Sequence, residues 1–152
     1  MDALIGSLVE TVTHRAVELQ ATLRVESLPA VETDSLAAQQ IFGNLIDNAL
    51  KYGRDDEKLQ IEIRGRLTAT HAIYEVQDNG RGIDRSDFQR VFELFRRAGR
   101  QDRPGEGIGL AHVRALVRRL GGTMGLTSEL GKGSTFTVTL PRRWSVANRS
   151  AA

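Results

Sequence analysis

The sequence predicts an α/β fold, a two-layer sandwich in which three main helices cover a mixed, mostly antiparallel sheet of about five strands. Two patterns and one total carry this expectation. Apolar residues recur with a helical period in long segments, and they alternate with polar residues in short segments that fall mostly into adjacent, turn-linked pairs. The total is 152 residues, 40% hydrophobic and 26% charged, which suits one core. The chain therefore reads as a single domain over 1–152, with its core at about 3–141 and a polar tail at 142–152.

The elements follow in order. Residues 3–20 place Leu4, Ile5, Leu8, Val9, Val12, Ala16, Val17 and Leu19 on a helical period. TLRVES, 22–27, alternates as a short strand that Leu28 and Pro29 end. A helix over 34–52 starts at a Thr or Asp cap and stops at Gly53. LQIEIRGR, 59–66, sets Leu59, Ile61 and Ile63 on one face, and HAIYEVQD, 71–78, alternates again after a turn around Thr68 to Thr70, so the two form a hairpin. Residues 84–95 carry Phe88, Val91, Phe92, Leu94 and Phe95 on one or two short helices. RRAGRQDRPG, 96–105, lacks periodicity and reads as a mobile loop. A helix begins within GIGLAHVRALVRRL and stops at Gly121 and Gly122. Strands at about 123–128 and 134–140 then form a second hairpin around Leu130 to Gly133, and Pro141 closes the domain.

Composition excludes several classes. Without cysteine there is no disulfide framework and no thiolate metal site, which fits a reducing cytoplasm. His14, His71 and His112 are scattered and show no ligand spacing. No apolar run approaches the ~18 residues of a membrane span, and the N-terminus lacks the pattern of a signal peptide, so the expectation is a soluble, cytoplasmic chain with no membrane segment. A net charge of +2, with arginines interleaved among acids, gives no reason to expect nucleic acid binding. Fifteen glycines, many gathered in tight groups at 80 and 82, at 105, 107 and 109, at 121 and 122, and at 131 and 133, suggest turns around one shared site.

Three clusters carry chemistry. In NLIDNALKY, 44–52, two asparagines and an aspartate sit in a helix that otherwise looks buried, although Asn and Asp are poor helix formers. At 100° per residue Asn44, Asn48 and Lys51 form a polar stripe bordering the apolar face. An amide oxygen is a hard, neutral donor suited to Mg²⁺, which binds substrate phosphates through few protein ligands, and Lys51 adds a mobile positive charge. The competing account is a solvated polar face. In HAIYEVQDNGRGI, alternation puts Asp78 on the face of Tyr74 and Val76, and a carboxylate at the buried end of a strand needs a donor. An ionised carboxylate only accepts, so it fits the exocyclic amine of adenine and repels the guanine carbonyl. Gly80 and Gly82 let a flat ligand approach; the competing account is an ordinary Asx turn. In GEGIGLAHVRALV a glycine-rich loop enters a helix, where free N–H groups and the positive dipole end favour phosphate. It is neither a Walker loop nor a dinucleotide fingerprint, and the competing account is a flexible helix start.

NLIDNALKY, DNGRGI, FQRVFELF, GEGIGLA and GKGSTFTVTLP resemble, in order and spacing, the N, G1, F, G2 and terminal G boxes of sensor histidine kinases, in their catalytic ATP-binding domain, a branch of the GHKL ATPases. The resemblance covers about 3–141 and implies a Bergerat-type sandwich with a mobile ATP lid at 96–106. It implies ATP and Mg²⁺ as cofactors, with Asn48 as metal ligand and with Asn44 and Lys51 on the phosphates. Tyr52 would lie near base or ribose and Asp78 on the adenine amine. Gly80, Gly82 and Ile83 would shape the pocket, Thr135 would assist through water, and Gly105, Gly107, Ile108, Gly109 and Leu110 would hold phosphate with Arg103.

The hydrolytic members of that superfamily resemble E-x-x-x-N at the N box, with the Glu activating water, and the anti-sigma serine kinases also carry it. This sequence has Asn44 there, which favours a histidine acceptor, nucleophilic when neutral. The expected reaction is transfer of the ATP γ-phosphate to a histidine on a partner dimerisation domain, docked partly through Phe88, Phe92, Phe95 and the lid, with a response regulator downstream. The phosphoacceptor segment usual in such kinases is absent, and His14 lies in the first helix. The chain therefore reads as an excised catalytic domain, a monomer by itself. Glu106, inside the G2 loop, departs from the small or neutral residue usual there. The alternatives are an anti-sigma-factor serine kinase and a non-catalytic nucleotide-binding docking domain.

Overall fold

The computed structural model describes residues 20–53, 58–87 and 109–143, together with 6, 7, 10, 17 and 18. Those last five positions are helical, Gln20 is a turn residue at φ 55° rather than helical, and the rest of the helix expected over 3–20 lies outside the described residues. Strands β1 (Thr22–Val25), β2 (Gln60–Leu67), β3 (His71–Asp78), β4 (Thr123–Glu129) and β5 (Gly133–Pro141) form one sheet in the order β1-β2-β3-β5-β4. The β1–β2 pair is parallel and every other pair antiparallel, as expected of a mixed sheet. Helices α1 (Ser35–Lys51) and α2 (Gly109–Arg119) are the main helices among the described residues, and Arg85–Asp87 makes a single 3₁₀ turn. No helix among the described residues is long and apolar enough to cross a membrane.

Helix α1 forms where its cap and periodicity coincide. The Asp34 carboxylate accepts from the N–H groups of Leu36 at 3.0 Å and Ala37 at 3.1 Å, satisfying two of the donors a helix start leaves open. The same carboxylate receives Arg119 Nη2 at 3.3 Å, which ties the start of α1 to the end of α2. Ala37, Ala38, Ile41, Phe42, Leu45, Ile46, Ala49 and Leu50 are buried along one stripe. They pack on Ile61 and Ile63 of β2, Tyr74 and Val76 of β3, and Phe136, Val138 and Leu140 of β5. Phe42 meets Tyr74 edge to face, with ring centroids 5.3 Å apart, and the Tyr74 hydroxyl donates to the Pro29 carbonyl at 2.6 Å. Val113, Leu116 and Val117 bring α2 onto the same core.

The expected strand 22–27 is shorter in the fold. The paired register with β2 ends at Val25, followed by one last bond from Glu26 N–H to the Ile63 carbonyl at 2.9 Å, after which Leu28 is buried. Away from the helices the sheet carries Arg64, whose Nε donates to Glu75 Oε2 at 2.6 Å, and a run of threonines on β5. The sheet is therefore buried on one face only, as period-2 alternation in an antiparallel sheet requires.

Candidate functional site

The C-terminal half of α1, the end of β3 with its following turn, the β4–β5 hairpin and the start of α2 are stitched together. Half-buried Asn44, Asn48 and Lys51 line the border of the apolar stripe, where the sequence places them. Asn44 Nδ2 donates to the Gln40 carbonyl one turn earlier at 2.8 Å, which explains how an asparagine is held inside a helix. Its Oδ1 faces α2: a Cβ on Gly109 would stand 3.9 Å from it. The Asn48 amide makes no hydrogen bond among the described residues, while its backbone carbonyl takes Tyr52 N–H at 3.2 Å. Lys51 is not a loose cation; its Nζ lies 3.0 Å from Asp47 Oδ2, one turn back on the same helix.

Tyr52 ends α1 and joins it to the turn after β3. Its carbonyl accepts Arg81 N–H at 3.1 Å, and the Arg81 guanidinium carbon sits 4.8 Å from the centre of its ring. Asn79 secures the other side of the turn, its Oδ1 accepting Gln60 N–H at 2.6 Å and its Nδ2 donating to the Lys58 carbonyl at 3.0 Å. Sequence reasoning gives Asn79 no role, although an Asn before a glycine is a known turn former.

Asp78 lies where alternation predicts, at the end of β3 on the helix-facing side. Its carboxylate accepts Gly80 N–H at 2.9 Å, so the Asx turn is present as well. Burial pushes the carboxyl up from 3.8 to about 6, while the N–H groups of Gly80 and Ser134 pull the other way. Gly80 and Gly82 have structural reasons of their own. A Cβ at Gly80 would overlap the Tyr52 carbonyl, and Gly82, at φ 73°, would meet the Glu129 carbonyl. The protein's own backbone, not only a flat ligand, demands both glycines.

One assignment changes. Thr135 pairs with Gln77, on the face turned away from the helices. Ser134 pairs with Asp78 and shares its face. Ser134 is buried, 7% exposed, and its Oγ lies 2.7 Å from Ser128 Oγ of β4. Ser128 Oγ also accepts Ile83 N–H at 2.8 Å and lies 2.9 Å from the Gly133 carbonyl. Ser134, not Thr135, therefore stands beside Asp78. The signal is in the sequence: Phe136, Val138 and Leu140 are the buried apolar residues of β5, and Ser134 is in phase with them.

Ile83 and Leu110 are partly buried against the core, and Gly109 opens α2. His71, with Nδ1 2.7 Å from Thr70 Oγ1, lies at the opposite end of β3 from Asp78, and His112 is exposed on α2. His14, Phe88, Phe92, Phe95, the lid 96–106 with Arg103, Gly105 and Glu106, and also Gly107 and Ile108, lie outside the described residues. Among the described residues no three His, Cys, Asp or Glu side chains gather as a metal cage. The arrangement offers an acceptor carboxylate beside a hydroxyl at one end and neutral amide oxygens, one ammonium and a helix N-terminus toward the other. Such a set can hydrogen-bond a purine base and offer neutral oxygens and positive charge to a polyphosphate and its counter-ion.

The family model of histidine kinase-, DNA gyrase B- and HSP90-like ATPases matches residues 33–143. The phytochrome-like protein Cph1 of Synechocystis is 37% identical over 84% of this chain, which spans 17% of that relative's length. Among solved structures, the mycobacterial sensor histidine kinase MprB superposes with a TM-score of 0.83 at 27% identity, covering 95% of this chain and 97% of that one. Full-length ShkA in complex with AMPPNP superposes at 0.81 and 27% identity, covering 95% of this chain and 30% of that one. The chain belongs to the family of histidine kinase-, DNA gyrase B- and HSP90-like ATPases, within its sensor histidine kinase branch.

Proposed function

We propose that this chain binds Mg·ATP and, as the catalytic domain of a two-component sensor kinase, transfers the γ-phosphate to a histidine on a partner dimerisation domain. The observation that carries the reading is Asp78, an acceptor-only carboxylate at the buried end of β3, joined through the 79–82 turn to the helix bearing Asn44, Asn48 and Lys51. The complex of ShkA with AMPPNP, an ATP analogue, supports it.

Asp78 takes the adenine amine, and Tyr52 flanks the base or ribose. Lys51 leaves Asp47 for the phosphates, exchanging one partly exposed ion pair for another. The residues fit Mg²⁺. The Asn48 amide, without a partner among the described residues, and the Asn44 oxygen that faces the start of α2 are neutral donors, and Asn48 would hold an ion that spreads the charge of the triphosphate. Phosphoryl transfer asks for positioning and charge stabilisation rather than covalent chemistry from the protein. Asn44 supports a histidine acceptor over a serine one, because an amide cannot take a hydroxyl proton. The partner docks in part on Phe88, Phe92, Phe95 and the lid, a response regulator receives the phosphoryl group next, and the domain works in the cytoplasm as a single unit over 1–152 that is monomeric by itself.

The test is titration with ATP, with and without Mg²⁺, on the wild type and Asn48→Ala, followed by addition of a separate dimerising histidine domain. Mg²⁺-dependent binding that Asn48→Ala weakens, and phosphohistidine on the added domain, are the expected results. Tight binding with no phosphohistidine favours a docking domain, and binding indifferent to Asn48→Ala overturns the metal assignment.

A further inference from the structure

Ser128, on β4, joins the turn after Asp78 to the β4–β5 hairpin at the base end of the site. Its Oγ receives Ile83 N–H at 2.8 Å and lies 2.9 Å from the Gly133 carbonyl and 2.7 Å from Ser134 Oγ. A hydroxyl has one proton and two lone pairs, and Ile83 occupies one lone pair. Two arrangements remain. In the first, Ser128 donates to the Gly133 carbonyl, Ser134 uses its proton on Ser128, and Ser134 shows only lone pairs beside Asp78, itself an acceptor. In the second, Ser128 donates to Ser134, and the Ser134 proton is released next to the Asp78 carboxylate.

The second arrangement places one donor beside one acceptor, on residues directly opposed in the β3–β5 register. That order complements adenine, whose 6-amine donates and whose N1 accepts. It opposes guanine, whose O6 accepts and whose N1 donates. Resting on the reading that the site takes adenine nucleotides, we propose that Ser128 is a positioning residue for the base. By accepting Ile83 N–H and donating to Ser134, it makes Ser134 the donor toward the N1 edge of adenine. A hydroxyl that only braced the hairpin and the turn at Ile83 would change affinity for all nucleosides alike. This role changes the preference for a nitrogen at position 1.

The experiment is calorimetric titration of adenosine, 1-deazaadenosine, which lacks N1, and purine riboside, which lacks the 6-amine. The wild type should prefer adenosine to 1-deazaadenosine by about tenfold, the value of one neutral hydrogen bond at the top of its usual range. Ser134→Ala should reduce that preference to near unity, Ser128→Ala, which leaves the Ser134 proton free to turn onto the Asp78 carboxylate, should reduce it to about threefold or less, and Ser128→Thr should restore it. Preference for adenosine over purine riboside should survive Ser128→Ala and disappear in Asp78→Asn. A full N1 preference in Ser128→Ala, or none in the wild type, overturns the proposal. If Ser128→Ala does not fold, Ser128→Cys, close in shape and a weak donor, must show the reduced preference for the proposal to stand. Adenosine affinity unchanged by Asp78→Asn would instead overturn the adenine reading itself.

Discussion

Replacing Asp78 by Asn should make the nucleotide-free fold more stable while weakening its hold on adenine. Burial raises the Asp78 carboxyl from 3.8 to about 6, against the pull of two backbone N–H groups. One pKa unit corresponds to about 1.4 kcal/mol, so ionising this group costs at most about 3 kcal/mol more in the folded chain than in the unfolded one. Because the folded-state value lies above the unfolded one, the folded chain binds more protons between about pH 4 and pH 6. The group's contribution is therefore most favourable below about pH 4, falls as pH rises through that window, and is constant above it. Asparagine removes the charge, and its carbonyl still accepts from Gly80 or Ser134 but not as well from both. A net gain of about 1–2 kcal/mol at pH 7.5 is expected, or about 3–6 °C in Tm. Adenosine should bind about 10–100-fold less tightly, as a charge-assisted bond is lost. Wild-type affinity for adenosine should also fall about tenfold between pH 7 and pH 5, and that of Asp78→Asn should not. Adenosine is the right probe because phosphates titrate in the same range. Melting curves across pH, with nucleoside titrations beside them, decide the matter. An Asp78→Asn variant that melts below the wild type at pH 7.5, and still loses stability between pH 4 and pH 6, refutes the burial argument.

Three further outcomes follow from the geometry. Lys51→Met should weaken ATP about tenfold and leave adenosine unaffected, while Asp47→Asn, which frees the amine from its 3.0 Å pair, should tighten ATP two- to threefold, about what a solvent-screened pair is worth. Gly82→Ala should cost at least about 3 kcal/mol in denaturant unfolding, because φ is 73° and the new Cβ would overlap the Glu129 carbonyl. Gly131→Ala, at φ 85° with no atom within 4 Å, should cost about 1. Equal losses at the two positions would remove overlap as the cause. Asp34→Ala should cost about 1–2 kcal/mol through the cap of α1, and Arg119→Ala under about 1, measured as shifts in denaturation midpoint.

Much of the fold is legible in the sequence because its signals are local. Asp34 and Gly53 bracket α1, and the alternation of Ile61, Ile63, Tyr74 and Val76 marks the core face of the first hairpin without any knowledge of pairing. The sheet order is less accessible, since β3 pairs with β5 across a stretch that holds α2 and β4, and nothing local marks that partner. At the site, Asp78 is readable from strand parity. Thr135 as a site residue runs against the parity of its own strand, where Phe136 already indicates Ser134. The Lys51–Asp47 pair and the Asn44–Gln40 bond depend on rotamers, which helical spacing permits without choosing. The reason for Gly80 and Gly82 lies in carbonyls of Tyr52 and Glu129, far from them in sequence.

The β3–β5 ladder runs from His71 and Pro141 to Asp78 and Ser134, so the residues that would read a base occupy its terminal rung. Terminal rungs open most easily, and this ladder forms only after a long stretch of chain has closed. A partly folded chain holding just the β2–β3 hairpin has Asp78 but no Ser134 against it. The base end of the site is thus assembled late and frays first. Adenosine should slow amide exchange at Gly80 and Ser134 and leave the middle of the ladder, at Tyr74 and Val138, as it was.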